Sequence, residues 1–140
     1  MLLEHKHLVV RAETYHSPCN PSTTDDRVHQ LVRDSRMKVP IGSFSVYLAM
    51  AGNQGLTNVT VIETFHITVH VWDEISLALI QMDVYFCAEF DPQLIFDRLQ
   101  SNFGLAKLER KFIDREHVLD EIPLSQPMLF PAPSPLEAVT

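Results

Sequence analysis

Cysteine, positive charge and long apolar runs are all scarce in this sequence, and each scarcity excludes something. Two cysteines in 140 residues, Cys19 and Cys87, lie far apart and make neither a CxxC motif nor a disulfide framework, so free thiols are expected. Eleven Lys and Arg against 18 Asp and Glu leave a net charge of -7, which repels nucleic acid and anionic membrane surfaces alike. The expected partners are therefore small molecules or proteins, with no nucleic acid and no membrane. No apolar run is long enough to span a bilayer and no signal peptide is recognisable, which predicts a cytoplasmic protein. What is present is a 46% hydrophobic composition, enough to build one domain with a real core.

The chain begins with a β-rich run, "HKHLVVRAE" (5–13), followed by a turn-like cluster, "TYHSPCNPSTTDD". Thr23 or Thr24 suits a helix cap, with Asp25 and Asp26 in the first turn and Val28, Leu31, Val32 and Ser35 on one face; the helix is predicted to run to about Met37 and to stop before Pro40. "SFSVYLAM" (43–50) reads as a strand and "AGNQG" (51–55) as a turn. One or two strands are predicted over 57–72 and another over 78–88. "DPQLIFDRLQSNFG" carries the clearest helix signature, with Asp91 as N-cap, Pro92 at the first helical position and Gly104 just past the end. A last strand is predicted over 106–115. From Pro123 the chain is rich in proline, so the expected division is a folded domain over 1–122 and an irregular tail over 123–140. This order predicts an α/β two-layer sandwich, a mainly antiparallel sheet with two helices on one face.

Alternation then assigns faces, because side chains on a strand project to opposite sides every two residues. Phe65, Ile67, Val69 and Val71 are predicted to share one face; His66, Thr68, His70 and Trp72 the other. In the later strand Ile80, Met82, Val84 and Phe86 oppose Gln81, Asp83, Tyr85 and Cys87. The face rich in His, Asp, Tyr and Cys is the candidate site. A metal site is not expected there, since four residues on a strand put His66 and His70 about 13 Å apart, too far to share one ion. A nucleophilic pair of Cys87 with His70 or His66 is possible across strands. A half-exposed polar sheet face or a dimer interface accounts for the same residues without chemistry.

The stretches "TFHITVHVWDE", "DVYFCA" and "DP" at Asp91 and Pro92 stand in the order of a known signature. They resemble the "ESHxxIHTWPE", "DxFTCG" and "DP" of the prokaryotic-type S-adenosylmethionine decarboxylases, pyruvoyl-dependent enzymes of polyamine (spermidine) biosynthesis. "KHLVV" is similar to the family's "RHLLV", Gly55-Leu56-Thr57 to its "GVS", and "LDEIPL" (119–124) to its "DEIG" region. The resemblance implies a chain that cuts itself before the serine of "ESH", turning that serine into the pyruvoyl group that serves as electron sink. It places Phe65 at the serine and Thr64 at the preceding glutamate. His70 then matches the histidine that assists processing, Thr57 the serine that helps it, Cys87 the general acid and Glu74 the glutamate of "WPE". His66 keeps the histidine of "ESH". Departures are Asp73 for proline, two extra residues between Trp72 and Asp83, Phe86 for threonine, and Ala51 near a family aromatic that stacks on adenine.

A phenyl ring has no hydroxyl for an N-to-O acyl shift, so no pyruvoyl group is expected. The implied protein is a pseudoenzyme that binds S-adenosylmethionine or a related small molecule through Glu74, His66 and Phe65, or a partner subunit, as a homodimer or as a heteromer with an active family member. One alternative is an active decarboxylase of S-adenosylmethionine or another amino acid, carrying a 2-oxobutanoyl group made from Thr64. Another is a structural or interaction protein without a pocket.

Overall fold

The described residues of the computed structural model, 5–36, 40–63, 65–87 and 89–124, form β1 (Lys6–Thr14), α1 (Pro21–Asp34), β2 (Pro40–Leu48), β3 (Gly55–Ile62), β4 (Phe65–Trp72), β5 (Ala78–Phe86), α2 (Pro92–Phe103), β6 (Leu105–Asp114) and β7 (Asp120–Ile122). The strands make one antiparallel sheet in the order β2-β3-β4-β5-β1-β6-β7. Both helices cover one face, as the α/β sandwich requires. Val28 and Leu31 of α1, Val69 and Met82 of the sheet, and Ile95 and Leu99 of α2 meet round a cavity of only about 30 Å³. An Arg98–Asp34 ion pair of 2.7 Å ties the two helices together.

Helix α2 forms as its sequence predicts. Asp91 accepts from the Gln93 N–H at 3.0 Å, Pro92 needs no partner for its missing N–H, and Gly104 ends the helix at φ 60 with its N–H on the Gln100 carbonyl. Helix α1 starts earlier than predicted. Its cap is Asn20, whose side chain accepts from the Thr23 N–H at 3.0 Å with Pro21 at the first position, so Asp25 falls inside the helix rather than in its first turn. Asn followed by Pro is a stronger start than Thr, because proline sets the helical φ and loses no bond there. The helix closes at Asp34 with Ser35 as C-cap; Met37 lies outside the described residues. The stretch over 57–72 resolves into two strands, and β7 is too short to show alternation. Of the tail predicted from 123, all but Pro123 and Leu124 lies outside the described residues.

Under the helices, β1, β4 and β5 present Leu8, Val10, Ile67, Val69, Ile80 and Val84, all buried. Each such aliphatic side chain contributes about 1.5–3 kcal/mol when fully removed from water. The β2–β3 hairpin reverses this polarity. Its helix-facing side carries Ser43, Ser45, Asn58 and Thr60, while Phe44, Val46, Val59 and Val61 face outward and are exposed. The polar side is held by Asp25 of α1, whose Oδ1 accepts from Ser43 Oγ at 2.9 Å, Ser45 Oγ at 2.6 Å and Asn58 Nδ2 at 3.0 Å. Asn58 Oδ1 in turn accepts from Thr60 Oγ1 at 2.9 Å, and both residues are fully buried. Asp25→Ala removes the one charged acceptor of this half-buried set and leaves its donors only one another. A stability loss of about 2–3 kcal/mol is expected from urea denaturation, since bonds to a charged acceptor are worth more than neutral ones; a loss below about 0.5 kcal/mol, the usual size of a surface substitution, would show the network to be ornamental.

Candidate functional site

On the outer face, antiparallel pairing of β3 and β4 sets Thr57 opposite His70, with Thr57 Oγ1 and His70 Nδ1 3.2 Å apart. A cavity of about 280 Å³ opens beside this pair, walled by Val46, Leu48, Trp72 and Gly55 with Asn53 at its edge. The indole of Trp72 lies 6.2 Å from the His70 ring, tilted by 34°. Gly55 is required by close approach: at φ 154 its backbone passes so near β4 that a Cβ would sit 1.7 Å from the Val71 carbonyl oxygen. The loop entering β3 can therefore reach the floor of the cavity only with glycine here.

Three consecutive residues at the end of β4 grip that loop. Trp72 Nε1 donates to Asn53 Oδ1 at 3.0 Å, and Glu74 Oε1 accepts from the Gln54 N–H at 3.0 Å. The Asp73 carboxylate accepts from the Tyr47 hydroxyl at 3.0 and 3.1 Å and from Gln54 Nε2 at 2.9 Å, while its own N–H donates to the Gln54 carbonyl at 3.1 Å. Loss of hydration, and after it the adjacent Asp73 carboxylate, push the Tyr47 phenol above its ordinary pKa. Glu74, matched to a ligand-binding glutamate by resemblance, thus has one oxygen committed to the loop.

Phe65 stands at the other end of β4, and its orientation corrects the face assignment. Alternation puts it with Ile67 under the helices; instead it is exposed and its ring stacks on Tyr85 on the outer face, centroids 4.6 Å apart and planes 11° from parallel. The cause is a backbone φ of 120, which no regular strand adopts and which turns the side chain to the opposite side. His66 lies 5.7 Å from the same tyrosine, Arg115 covers it at 4.2 Å, and His7 Nε2 meets Asp83 Oδ1 at 2.9 Å beside it. Arg115, His7, Asn53 and Gln54 were not legible as site residues, because they reach this face from elements distant in sequence. Cys87, half-buried, sits just past the end of β5, and among the described residues no hydrogen bond joins it to His66 or His70. Thr64 lies outside the described residues.

The residues grouped by resemblance therefore fall into two sets. Thr57, His70, Trp72 and Glu74 occupy one end of β4 and Phe65, His66 and Cys87 the other, with His66 about 13 Å and Phe65 about 17 Å from His70 at strand rise. They do not converge within one chain. Among the described residues no three His, Cys, Asp or Glu side chains gather as a metal-binding group, and no helix is long and apolar enough to cross a membrane.

Residues 7–116 match the family described as S-adenosylmethionine decarboxylase. The S-adenosylmethionine decarboxylase proenzyme of Pyrobaculum islandicum is 34% identical over 80 residues, 56% of this chain and 59% of that one. The corresponding proenzyme of Pyrobaculum neutrophilum is 39% identical over 62 residues, 44% of this chain and 48% of that one. The chain spans about half the length of the curated relatives it matches. In three dimensions it is similar to the adenosylmethionine decarboxylase of Aquifex aeolicus, with a TM-score of 0.62 at 18% identity over 90% of this chain and all of the other, a likeness of fold. Since the family match runs from His7 to Glu116, through both helices and from β1 to β6, the chain belongs to the S-adenosylmethionine decarboxylase family.

Proposed function

We propose that this chain is a cytoplasmic S-adenosylmethionine decarboxylase-like protein that does not process itself and acts by binding, holding S-adenosylmethionine or a related small molecule and a partner subunit in polyamine metabolism. The observation that carries the reading is Phe65. A pyruvoyl group arises from a residue with a hydroxyl on Cβ, and the phenyl ring at the matching position has none and is stacked on Tyr85 instead. The residues present do not fit that prosthetic group, so no decarboxylation step is assigned to it. What supports ligand binding is the cavity beside Thr57 and His70, apolar on two walls and closed by an indole, with a few polar groups to orient an occupant.

A second copy, or an active relative of the same fold, is the proposed partner. Phe44, Val46, Leu48, Val59 and Val61 leave an apolar outer surface on β2 and β3, and residues 40–62 contain no charged side chain. Two chains of net charge -7 meet with least repulsion there. A two-fold pair facing across this side with its axis across the strands would set the Thr57–His70 end of one copy toward the Phe65 end of the other, joining sets that a single chain holds apart. A second reading, an active enzyme with a 2-oxobutanoyl group from Thr64, is favoured by the strained φ of Phe65 directly after that residue. Intact mass separates the two: one species near 16.0 kDa is expected, and two fragments split beside residue 64 would replace the binding reading with the catalytic one. Titration of the intact chain with S-adenosylmethionine is expected to give a thermal shift; no shift and no heat at millimolar ligand sinks the small-molecule part of the proposal.

A further inference from the structure

We infer that Asp73 is a positioning residue that latches the 49–54 loop and strand β2 onto the end of β4 and thereby sets the shape of the cavity beside Thr57 and His70; the ligand arm of this inference rests on the binding role proposed above. Asp73 stands where the family pattern has proline, and the bonds it makes are ones proline cannot make. Its N–H donates to the Gln54 carbonyl, and its carboxylate holds the Gln54 amide and the Tyr47 hydroxyl at once. Proline lacks both the donor and the acceptor.

The two contacts act on different walls. Tyr47 points toward the helix side of β2, so its neighbours Val46 and Leu48 point the other way, into the cavity. Fixing the phenol fixes them. Gln54 immediately precedes Gly55, which forms the cavity floor against Val71, and it is gripped through its side chain, its N–H and its carbonyl. Beyond these grips the loop is held by the Trp72 indole bond to Asn53 Oδ1 at 3.0 Å and by one turn bond from the Asn53 N–H to the Met50 carbonyl; Ala51, Gly52 and Asn53 are exposed and Gly52 has φ 86. A loop of small, exposed residues opens readily unless it is tied down. The latch substitutes a carboxylate-centred set of bonds for the rigidity that proline gives the family's chain.

The test compares the full-length wild type with Asp73→Ala, Tyr47→Phe and Asp73→Asn by amide hydrogen exchange over 49–55 and by titration with S-adenosylmethionine. Asp73→Ala is expected to speed exchange at Gln54 and Asn53 by about tenfold or more and to weaken ligand binding by a similar factor, the size expected for losing charge-assisted bonds. Tyr47→Phe, which removes one hydroxyl and leaves the core intact, falls between. Asp73→Asn is expected within about threefold of wild type, because a flipped Gln54 amide restores the pairing. Unchanged exchange in Asp73→Ala overturns the latch, and faster exchange with unchanged affinity overturns its role in shaping the cavity. If the wild type itself gives no titration signal, the ligand-binding proposal and the cavity-shaping claim fall together, and the loop latch is decided by exchange alone.

Discussion

Phe65→Ser is expected to yield a chain that cuts itself between Thr64 and the new serine. The substitution supplies the one group the position lacks, a hydroxyl on Cβ. Its oxygen attacks the Thr64 carbonyl carbon and the C–O bond forms as the C–N bond breaks. The resulting ester eliminates the upstream piece as a free carboxylate, leaving a dehydroalanine whose imine tautomer takes up water and releases ammonia, so that the downstream piece begins with a pyruvoyl group. The backbone is already bent for this: φ of 120 at a non-glycine residue costs about 1–3 kcal/mol, and scission of the adjoining peptide releases it. The fold survives the change, because losing the Phe65–Tyr85 stack costs only about 0.5–1.5 kcal/mol beyond lost burial, and the ring is at the surface. If proton transfer falls to the Thr57–His70 pair, about 17 Å away along the same strand, the proposed partner copy is its expected source. Cleavage is therefore expected to slow on dilution below the dimerisation range. Phe65→Ala, with no hydroxyl, stays whole. Intact mass over several days reads the result, and a Phe65→Ser chain that remains a single species at every concentration removes the basis for calling Phe65 the missing link.

Gly55→Ala is expected to destabilise the chain by more than about 4 kcal/mol, beyond the range of ordinary point substitutions. The added methyl carbon would meet the Val71 carbonyl oxygen at 1.7 Å, its carbon at 2.6 Å and Trp72 Cα at 3.1 Å, all backbone atoms that no rotamer can move. Either β3 leaves β4 at this point or the whole loop shifts. Loss of Thr57–His70 pairing follows in both cases, since that pair lies two residues further along the same ladder. Gly52→Ala is the control: nothing lies within 4 Å of its Cβ position, so only the backbone strain at φ 86 remains, on the order of 1 kcal/mol. Thermal unfolding of the two variants should differ by more than about 10 °C, and comparable midpoints contradict the close approach.

The sandwich was legible because its signals are local. The Asp91, Pro92 and Gly104 punctuation of α2 and the alternation of β5 and of β4 from His66 onward each lie within a short stretch of chain and agree with their tertiary surroundings. The site was half legible. Resemblance names Thr57 and His70 separately, and their pairing across β3 and β4 emerges only once 57–72 is seen to fold as two strands. What could not be read was set by distant contacts. Phe65 turns outward through a single backbone angle that alternation takes for granted, and the division of the matched residues between two ends of β4 is a length, invisible in a motif read as letters. A carboxylate near a helix start reads as a dipole partner, whereas the three donors that Asp25 accepts from come from two strands that follow it.

Those three donors also decide how the edge hairpin folds. Hydrophobicity alone favours a one-residue slip of β2 and β3 that tucks Phe44, Val46, Val59 and Val61 beneath α1 and turns the serines and Asn58 to water. Against it stand Asn58 Nδ2, which donates to Ser43 Oγ at 3.1 Å and to Ser45 Oγ at 2.7 Å within the hairpin, and Asp25 of α1, which adds a charged acceptor to the same set. Docking of α1 therefore ties the register of this sheet edge to a helix earlier in the chain: Asp25 rewards the face that carries Ser43, Ser45 and Asn58, and a chain without that carboxylate should hold the register less firmly.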